Sequence, residues 1–210
     1  VCSSDLTVVY AGSDNPSNQA AVRWLLREVW PRVVDARPTA RLRLVGLIGE
    51  ALRGEPELAV PNVDVVGFVP DAVTELAAAG VVVAPYLYGS GLKIKLIEAA
   101  ATGRPIVTTT SGVEGSGLSD GKHLVVTDDA TAFAGAIVHL LGEPAAAAAL
   151  GQAARDVVRR ECADEACYRP VLDLIASHAE RSAAPGVIPT TVEERIALVL
   201  NQLGHPRVVV

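Results

Sequence analysis

The chain has 210 residues, half of them apolar but only 4% aromatic, so its apolar content is mainly Ala, Val and Leu; this is enough for a true hydrophobic core and excludes disorder as a global description. Lys and Arg total 18 against 24 Asp and Glu, a net charge of −6, which argues against duplex binding because that affinity rests on cations neutralising phosphates. No apolar run reaches the ~18 residues of a membrane span, and the nearest, residues 76–87, is broken by Gly80 and Pro85.

In chain order, Val1-Cys2-Ser3-Ser4-Asp5-Leu6 reads as a translated sequencing-library adapter, so residues 1–6 are set aside and a further domain is expected upstream. Thr7–Ala11 reads as a buried strand stopped by Gly12, and 13–18 as a polar turn. A helix to about residue 34 follows, with Trp24, Leu25, Val29 and Val33 near helical spacing on a core face. Arg41–Val45, ended by Gly46, is the second strand, and 63–68 the third. Pro70-Asp71 opens a short Ala-rich helix, and Val81–Ala84 forms a fourth strand closed by Pro85. The turn 89–91 leads into a helix that reaches Thr102 and stops at Gly103. Ile106–Thr108 and 124–126 are the last two strands, and helices follow at about 129–141, 144–160 and 164–180. Residues 183–186 form a linker, and 192–203 one more helix in a C-terminal tail.

Apolar strands alternating with helices predict an α/β fold, a doubly wound, mostly parallel six-stranded sheet. It occupies residues 7–180, with 181–210 as linker and tail. The three cysteines, Cys2, Cys162 and Cys167, make no disulfide framework, and the four histidines are scattered. Cys162 and Cys167, five apart, fall on different sides of a helix and read as inert. A reducing, cytoplasmic setting without a structural metal is expected. Asp128-Asp129 is either a metal pair or a helix cap, and N-cap preference favours the cap.

Ligands of such sheets bind outside the carboxyl ends of the strands, which points to residues 12–18, 67–71, 86–95 and 109–117. The stretch Gly89-Ser90-Gly91-Leu92-Lys93-Ile94-Lys95 joins a strand to a helix. Glycines let the backbone approach a ligand closely, and the following helix N-terminus favours an anion such as phosphate. Lys93 and Lys95 add charge in the first turns of that helix, where the dipole disfavours cations and calls for a compensating anion. The dinucleotide fingerprint fails because Ile94 stands where its third glycine belongs, and Gly121-Lys122-His123 does not complete a P-loop. Glu98, three residues after Lys95, is either an i,i+3 ion-pair partner worth ~0.2–0.5 kcal/mol or an acceptor for ribose hydroxyls. Its shared face with Lys95 ranks Lys95 ahead of Lys93 as a phosphate ligand. Tyr86 and Tyr88, at the mouth of the site, either stack on a base or cover the sheet edge.

The pattern Val83-Ala84-Pro85, Gly89-x-Gly91-x-Lys93-x-Lys95-x-x-Glu98-Ala99, then Gly103-x-Pro105-Ile106-Val107-x-Thr109 resembles the donor-binding domain of glycosyltransferase family 4, of the GT-B fold. Gly12-Ser13 with Asn18 before a helix carrying Trp24 and Pro31 is similar too, as are Val66-Gly67-Phe68-Val69-Pro70-Asp71 and Gly112-Val113-Glu114-Gly115. The likeness spans about residues 7–175.

The resemblance implies a retaining transferase that moves a sugar from a nucleotide-diphosphate donor to a sugar or lipid-linked acceptor. No cofactor, metal or nucleic acid is implied. Acceptor contacts, and any peripheral membrane contact, belong to a missing N-terminal domain, so the isolated chain is expected to bind donor without turnover. The implied donor-site residues are Gly12, Ser13, Val69, Gly89, Ser90, Gly91, Leu92, Lys93, Lys95, Glu98 and Glu114. Phosphates would lie over 89–95, ribose on Glu98 and base near 67–71. The family often has two glutamates eight apart; the second falls on Glu98, but the first falls on Ser90. The basic residues usual after the first strand are also absent from 12–18. Two alternatives stay open: a GT-B-type nucleotide-sugar epimerase sharing the donor site, and a non-catalytic flavodoxin-like regulatory domain.

Overall fold

A computed structural model describes residues 6–89, 91–182 and 191. The chain divides into two compact units between Arg159 and Arg160.

The first unit is built on six strands: β1 Thr7–Ala11, β2 Arg41–Val45, β3 Val63–Gly67, β4 Val81–Ala84, β5 Ile106–Thr108 and β6 Val125–Val126. Their order is β3-β2-β1-β4-β5-β6, and every pairing is parallel. This is the doubly wound order with its reversal between β1 and β4. It differs from the 2-1-3-4-5 order of flavodoxin-like sheets, so the flavodoxin-like topology is not the one adopted.

The strands read as apolar runs because both faces are covered. Val8 and Tyr10 of β1 join one core with Leu25, Trp30, Leu42 and Phe133, while Val9 joins another with Leu76, Leu96, Ile106 and Ala154. The first core is covered by α1 Pro16–Trp24, a π turn Leu25–Val29, α2 Trp30–Ala36 and α7 Ala130–Gly142. The second is covered by α4 Ala72–Ala77, α5 Ile94–Ala101 and part of α8 Pro144–Glu161.

The continuous helix expected up to residue 34 is interrupted at this π turn, where the Trp30 amide donates to the Leu25 carbonyl five residues back. Pro31 explains the interruption: it has no amide to donate, and its ring would crowd the carbonyl four residues earlier. Trp30 is fully buried and its indole N–H donates to the Pro61 carbonyl at 2.9 Å. Trp24 packs edge-on against Phe133 with ring centroids 5.3 Å apart.

Three short elements escape the sequence pattern: α3 Leu47–Ala51, a 3₁₀ turn Pro56–Ala59 and α6 Thr110–Val113. None is long enough to show a helical period. Asp71 and Asp129 cap α4 and α7, accepting from Val73 and Ala132 amides respectively. Asp128 instead holds the amide and hydroxyl of Thr110. The aspartate pair therefore caps and ties, as N-cap preference favoured.

In the second unit, α9 Asp164–Ser182 contains Pro170 within the helix. Cys162 lies between α8 and α9 while Cys167 lies in α9, as the expected helix bounds leave them, so the two do not sit on different sides of one helix. Among the described residues, no single helix is long and apolar enough to cross a membrane. Residues 1–5, the linker at 183–186 and the helix expected at 192–203 lie outside the described residues.

Candidate functional site

The strand order reverses between β1 and β4, so the loops leaving these parallel strands diverge, the arrangement that opens a crevice in such sheets. The carboxyl ends around it are held by backbone hydrogen bonds. Gly12 N donates to Val45 O at 2.9 Å and Gly46 N to Gly67 O at 2.7 Å. Gly46 has φ +94°, and a side chain there would run into the Gly12 carbonyl, so glycine is required for the two loops to approach.

On the other side, Thr109 prolongs the β4–β5 pairing with its side chain. Its hydroxyl donates to Tyr86 O at 2.6 Å and accepts from Tyr86 N at 2.9 Å. Thr108 similarly donates to Ala84 O at 2.7 Å. These bonds fix Tyr86 at the crevice floor. Burial, with the negative charge of Glu98 adding to it, pushes the Tyr86 phenol up to about 12. Tyr10, at the end of β1, is also pushed up, by burial first and then by Tyr86.

Of the two helices that follow β1 and β4, α1 has a side-chain cap and α5 has none. α1 is closed: the Asn15 side chain accepts from Asn18 N at 2.9 Å, and Pro16 has no amide to offer. The Tyr88 hydroxyl donates to Pro16 O at 3.1 Å, and Ser17 Oγ donates to Tyr88 O at 3.5 Å, so the β4–α5 loop lies across this helix start. At α5, Lys93 takes the N-cap position with φ −91° and ψ 94°, and no side chain caps the helix. The first amides, those of Ile94 and Lys95, have no carbonyl within the helix to reach.

The two lysines therefore differ from the sequence expectation, which placed both inside the helix. Lys93 precedes it, half-buried, and its Nζ curls back to Gly91 O at 2.8 Å and Gly89 O at 3.4 Å. That Nζ also lies 5.8 Å from the centre of the Tyr86 ring. Gly89 and Gly91 have φ of +118° and +78°, which lets both carbonyls face one cation. Lys95 stands on the helix, paired with Glu98 at 2.8 Å, the side chains 47% and 33% exposed. The ion-pair reading of Glu98 is thus realised.

Gly89, Gly91, Leu92 and Lys93 form one turn, joined by Ser111, whose hydroxyl donates to Gly89 O at 3.1 Å. Leu92 is exposed, and its backbone passes beside Gly115, next to the exposed Glu114 at the end of α6. Gly12 is buried, while Ser13 is exposed and its carbonyl accepts from Asn18 Nδ2 at 2.8 Å. Val69 packs half-buried against the second core at the end of β3, two strands from β1. Ser90 lies outside the described residues.

Three residues of this site were not among the donor-site residues implied from the sequence: Phe68 and Thr109, which stand in the motifs that carry the resemblance, and Ser111. Phe68 is 71% exposed just beyond β3, and an isolated aromatic in a loop of an aromatic-poor chain was the available signal. For Thr109 and Ser111 the signal was a run of hydroxyl residues at the end of a strand.

Together these features define an α/β domain whose strand-order reversal brings an uncapped helix N-terminus, a glycine turn and Lys93 together. The profile of the family described as "Glycosyl transferases group 1" matches residues 5–143. The chain belongs to this family, and its fold is the Rossmann-like half of a GT-B glycosyltransferase. A phosphatidyl-myo-inositol mannosyltransferase of Mycobacterium leprae is 33% identical over 141 residues, covering 64% of this chain and 37% of that protein. A GDP-mannose-dependent monoacylated alpha-(1-6)-phosphatidylinositol monomannoside mannosyltransferase of Corynebacterium glutamicum is 32% identical over 147 residues, covering 65% and 39%. The chain thus spans little more than a third of the length of these relatives. Among solved structures, Anabaena HepE in complex with UDP superposes with a TM-score of 0.68 at 16% identity, over 82% of this chain and 49% of that one.

Proposed function

We propose that this chain is the donor-binding half of a retaining, family 4-type glycosyltransferase and holds a nucleoside diphosphate sugar in the β1–β4 crevice. The observation that carries the reading is the open N-terminus of α5 beside the glycine turn and the inward-curled Lys93, facing the closed N-terminus of α1. Free amides, the helix dipole and one half-buried cation converge there, the combination that suits a diphosphate. The contacts favour Lys93 as the phosphate cation. Glu98 accepts the ribose hydroxyls after exchanging its Lys95 partner for them. Phe68, exposed at the end of β3, covers the base near 67–71.

During transfer the sugar–phosphate bond breaks and charge accumulates on the departing diphosphate. Fixed amides and Lys93 aimed at that charge lower the barrier without reorganising. Acceptor recognition is assigned to a second domain, for which the longer relatives have room, so this chain alone binds donor without turnover. Two relatives bear on the base: HepE, solved in complex with UDP, and the Corynebacterium enzyme, named as GDP-mannose-dependent. Calorimetric titration with UDP, GDP and ADP, each beside its free nucleoside, tests the reading. A diphosphate should bind at least ~tenfold tighter than its nucleoside. Equal affinity, or no binding by any of the six, refutes it.

A further inference from the structure

Cys162 and Cys167 read from the sequence as inert, but the second unit brings them to one corner. α8 ends at Glu161 and α9 begins at Asp164, so Cys162 stands in the link and Cys167 in the first turn of α9. The Cys167 thiol donates to the Glu161 carbonyl at 3.6 Å, and the Cys167 amide donates to Ala163 O at 3.0 Å. That Glu161 carbonyl belongs to the peptide bond leading into Cys162, and its oxygen lies ~2.8 Å from Cys162 Cα. Cys162 Cα is therefore within roughly 6.4 Å of Cys167 Sγ. Both thiols are exposed. Partial burial raises the Cys162 thiol above its ordinary value, and the nearby Cys167 adds to the effect, as expected of two thiols in one neighbourhood.

We propose that Cys162 and Cys167 form a dithiol site for small disulfides such as oxidised glutathione, closing into an intramolecular disulfide across the α8–α9 corner. One thiolate attacks the glutathione disulfide. A protein–glutathione bond forms, the original S–S bond breaks, and one glutathione thiolate leaves. The second cysteine, as thiolate, then attacks the protein sulfur of this mixed disulfide, forming the Cys162–Cys167 bond and releasing the second glutathione. Two protein thiols are oxidised, one glutathione disulfide is reduced to two thiols, and the two cysteine protons pass to the leaving thiolates. Closure ties the last turn of α8 to the first turn of α9. In a reducing compartment such a pair rests as thiols and closes only when the glutathione pool is oxidised.

The test uses the full chain carrying Cys2→Ser, equilibrated with oxidised and reduced glutathione, quenched by alkylation and read by intact mass. The two-cysteine chain should lose both thiols together, ending about 2 Da below the reduced form with no lasting adduct. Adding Cys162→Ser or Cys167→Ser should instead trap one glutathione. A stable double adduct on the two-cysteine chain, or single-cysteine variants that take no adduct, overturns the proposal. The same equilibrium in concentrated urea asks whether the fold holds the pair. Closure should be at least ~tenfold more favoured against glutathione in the folded chain. An equal or weaker preference overturns it, because the proximity would then come from sequence spacing alone.

Discussion

Replacing each lysine of the glycine turn separates the two ways in which the site can hold charge. In Lys93→Ala the lost group is the ammonium of a half-buried residue, which already faces two carbonyls and the Tyr86 ring. A cation about 4 Å from a phosphate at an effective dielectric of 20 interacts by about 4 kcal/mol before desolvation. Hydrogen bonds to charged groups contribute ~1.5–3 kcal/mol net. Partial exposure of Lys93 argues for the lower end, roughly 1.5–2 kcal/mol, or 10- to 30-fold in Kd. Lys95→Ala removes an exposed i,i+3 pair worth ~0.2–0.5 kcal/mol and leaves Glu98 unengaged, so diphosphate affinity should change by roughly twofold or less. Calorimetry with UDP and GDP against uridine and guanosine, at low and moderate salt, reads both effects. The nucleosides should bind Lys93→Ala like the wild type, and the salt dependence of diphosphate binding should flatten in that variant alone. A large loss in Lys95→Ala with none in Lys93→Ala would place the phosphate on the helix face. Wild-type diphosphate binding in both variants would remove the anion site altogether.

Glu98→Gln should weaken diphosphate and nucleoside binding alike, by about tenfold, while the melting temperature stays nearly constant; unchanged affinity returns Glu98 to a surface ion pair. Phe68→Ala should cost ~1 kcal/mol or more in nucleotide binding, the scale of base–aromatic stacking, without altering stability, since the ring is 71% exposed. The Tyr86 phenol is raised in the folded state, so its contribution to stability is complete below the ordinary value of 10.0 and is lost as pH rises towards about 12. Tyr86→Phe should lose about 2–3 kcal/mol less than the wild type over that interval, measured by urea unfolding; parallel pH profiles would contradict burial of the phenol. Asp129→Ala removes the α7 cap and should cost ~1 kcal/mol, a fall of roughly 2–4 °C in Tm by calorimetry. An unchanged Tm would mean that the cap contributes nothing.

Strand and helix alternation was legible from the sequence because each long element announces itself locally. Valine-rich runs ending at glycine or proline read as strands covered on both faces, and stretches of 13 to 19 residues such as α7 and α9 repeat their apolar positions often enough to be read. The glycine turn, its lysines and Glu98 were legible as residue types at a strand–helix junction, and the glycosyltransferase family with them. Their partners were not. That Lys93 stands outside α5 while Lys95 pairs with Glu98 depends on where the helix begins, and the backbone conformation of one residue decides that. The Tyr88 hydroxyl meets Pro16 O across 72 positions, and Thr109 meets Tyr86 across 23. Such contacts arise only when the sheet sets β1, β4 and β5 side by side. Local sequence carries propensities and chemical types, but which donor faces which acceptor is set by chain reversals that no local period encodes.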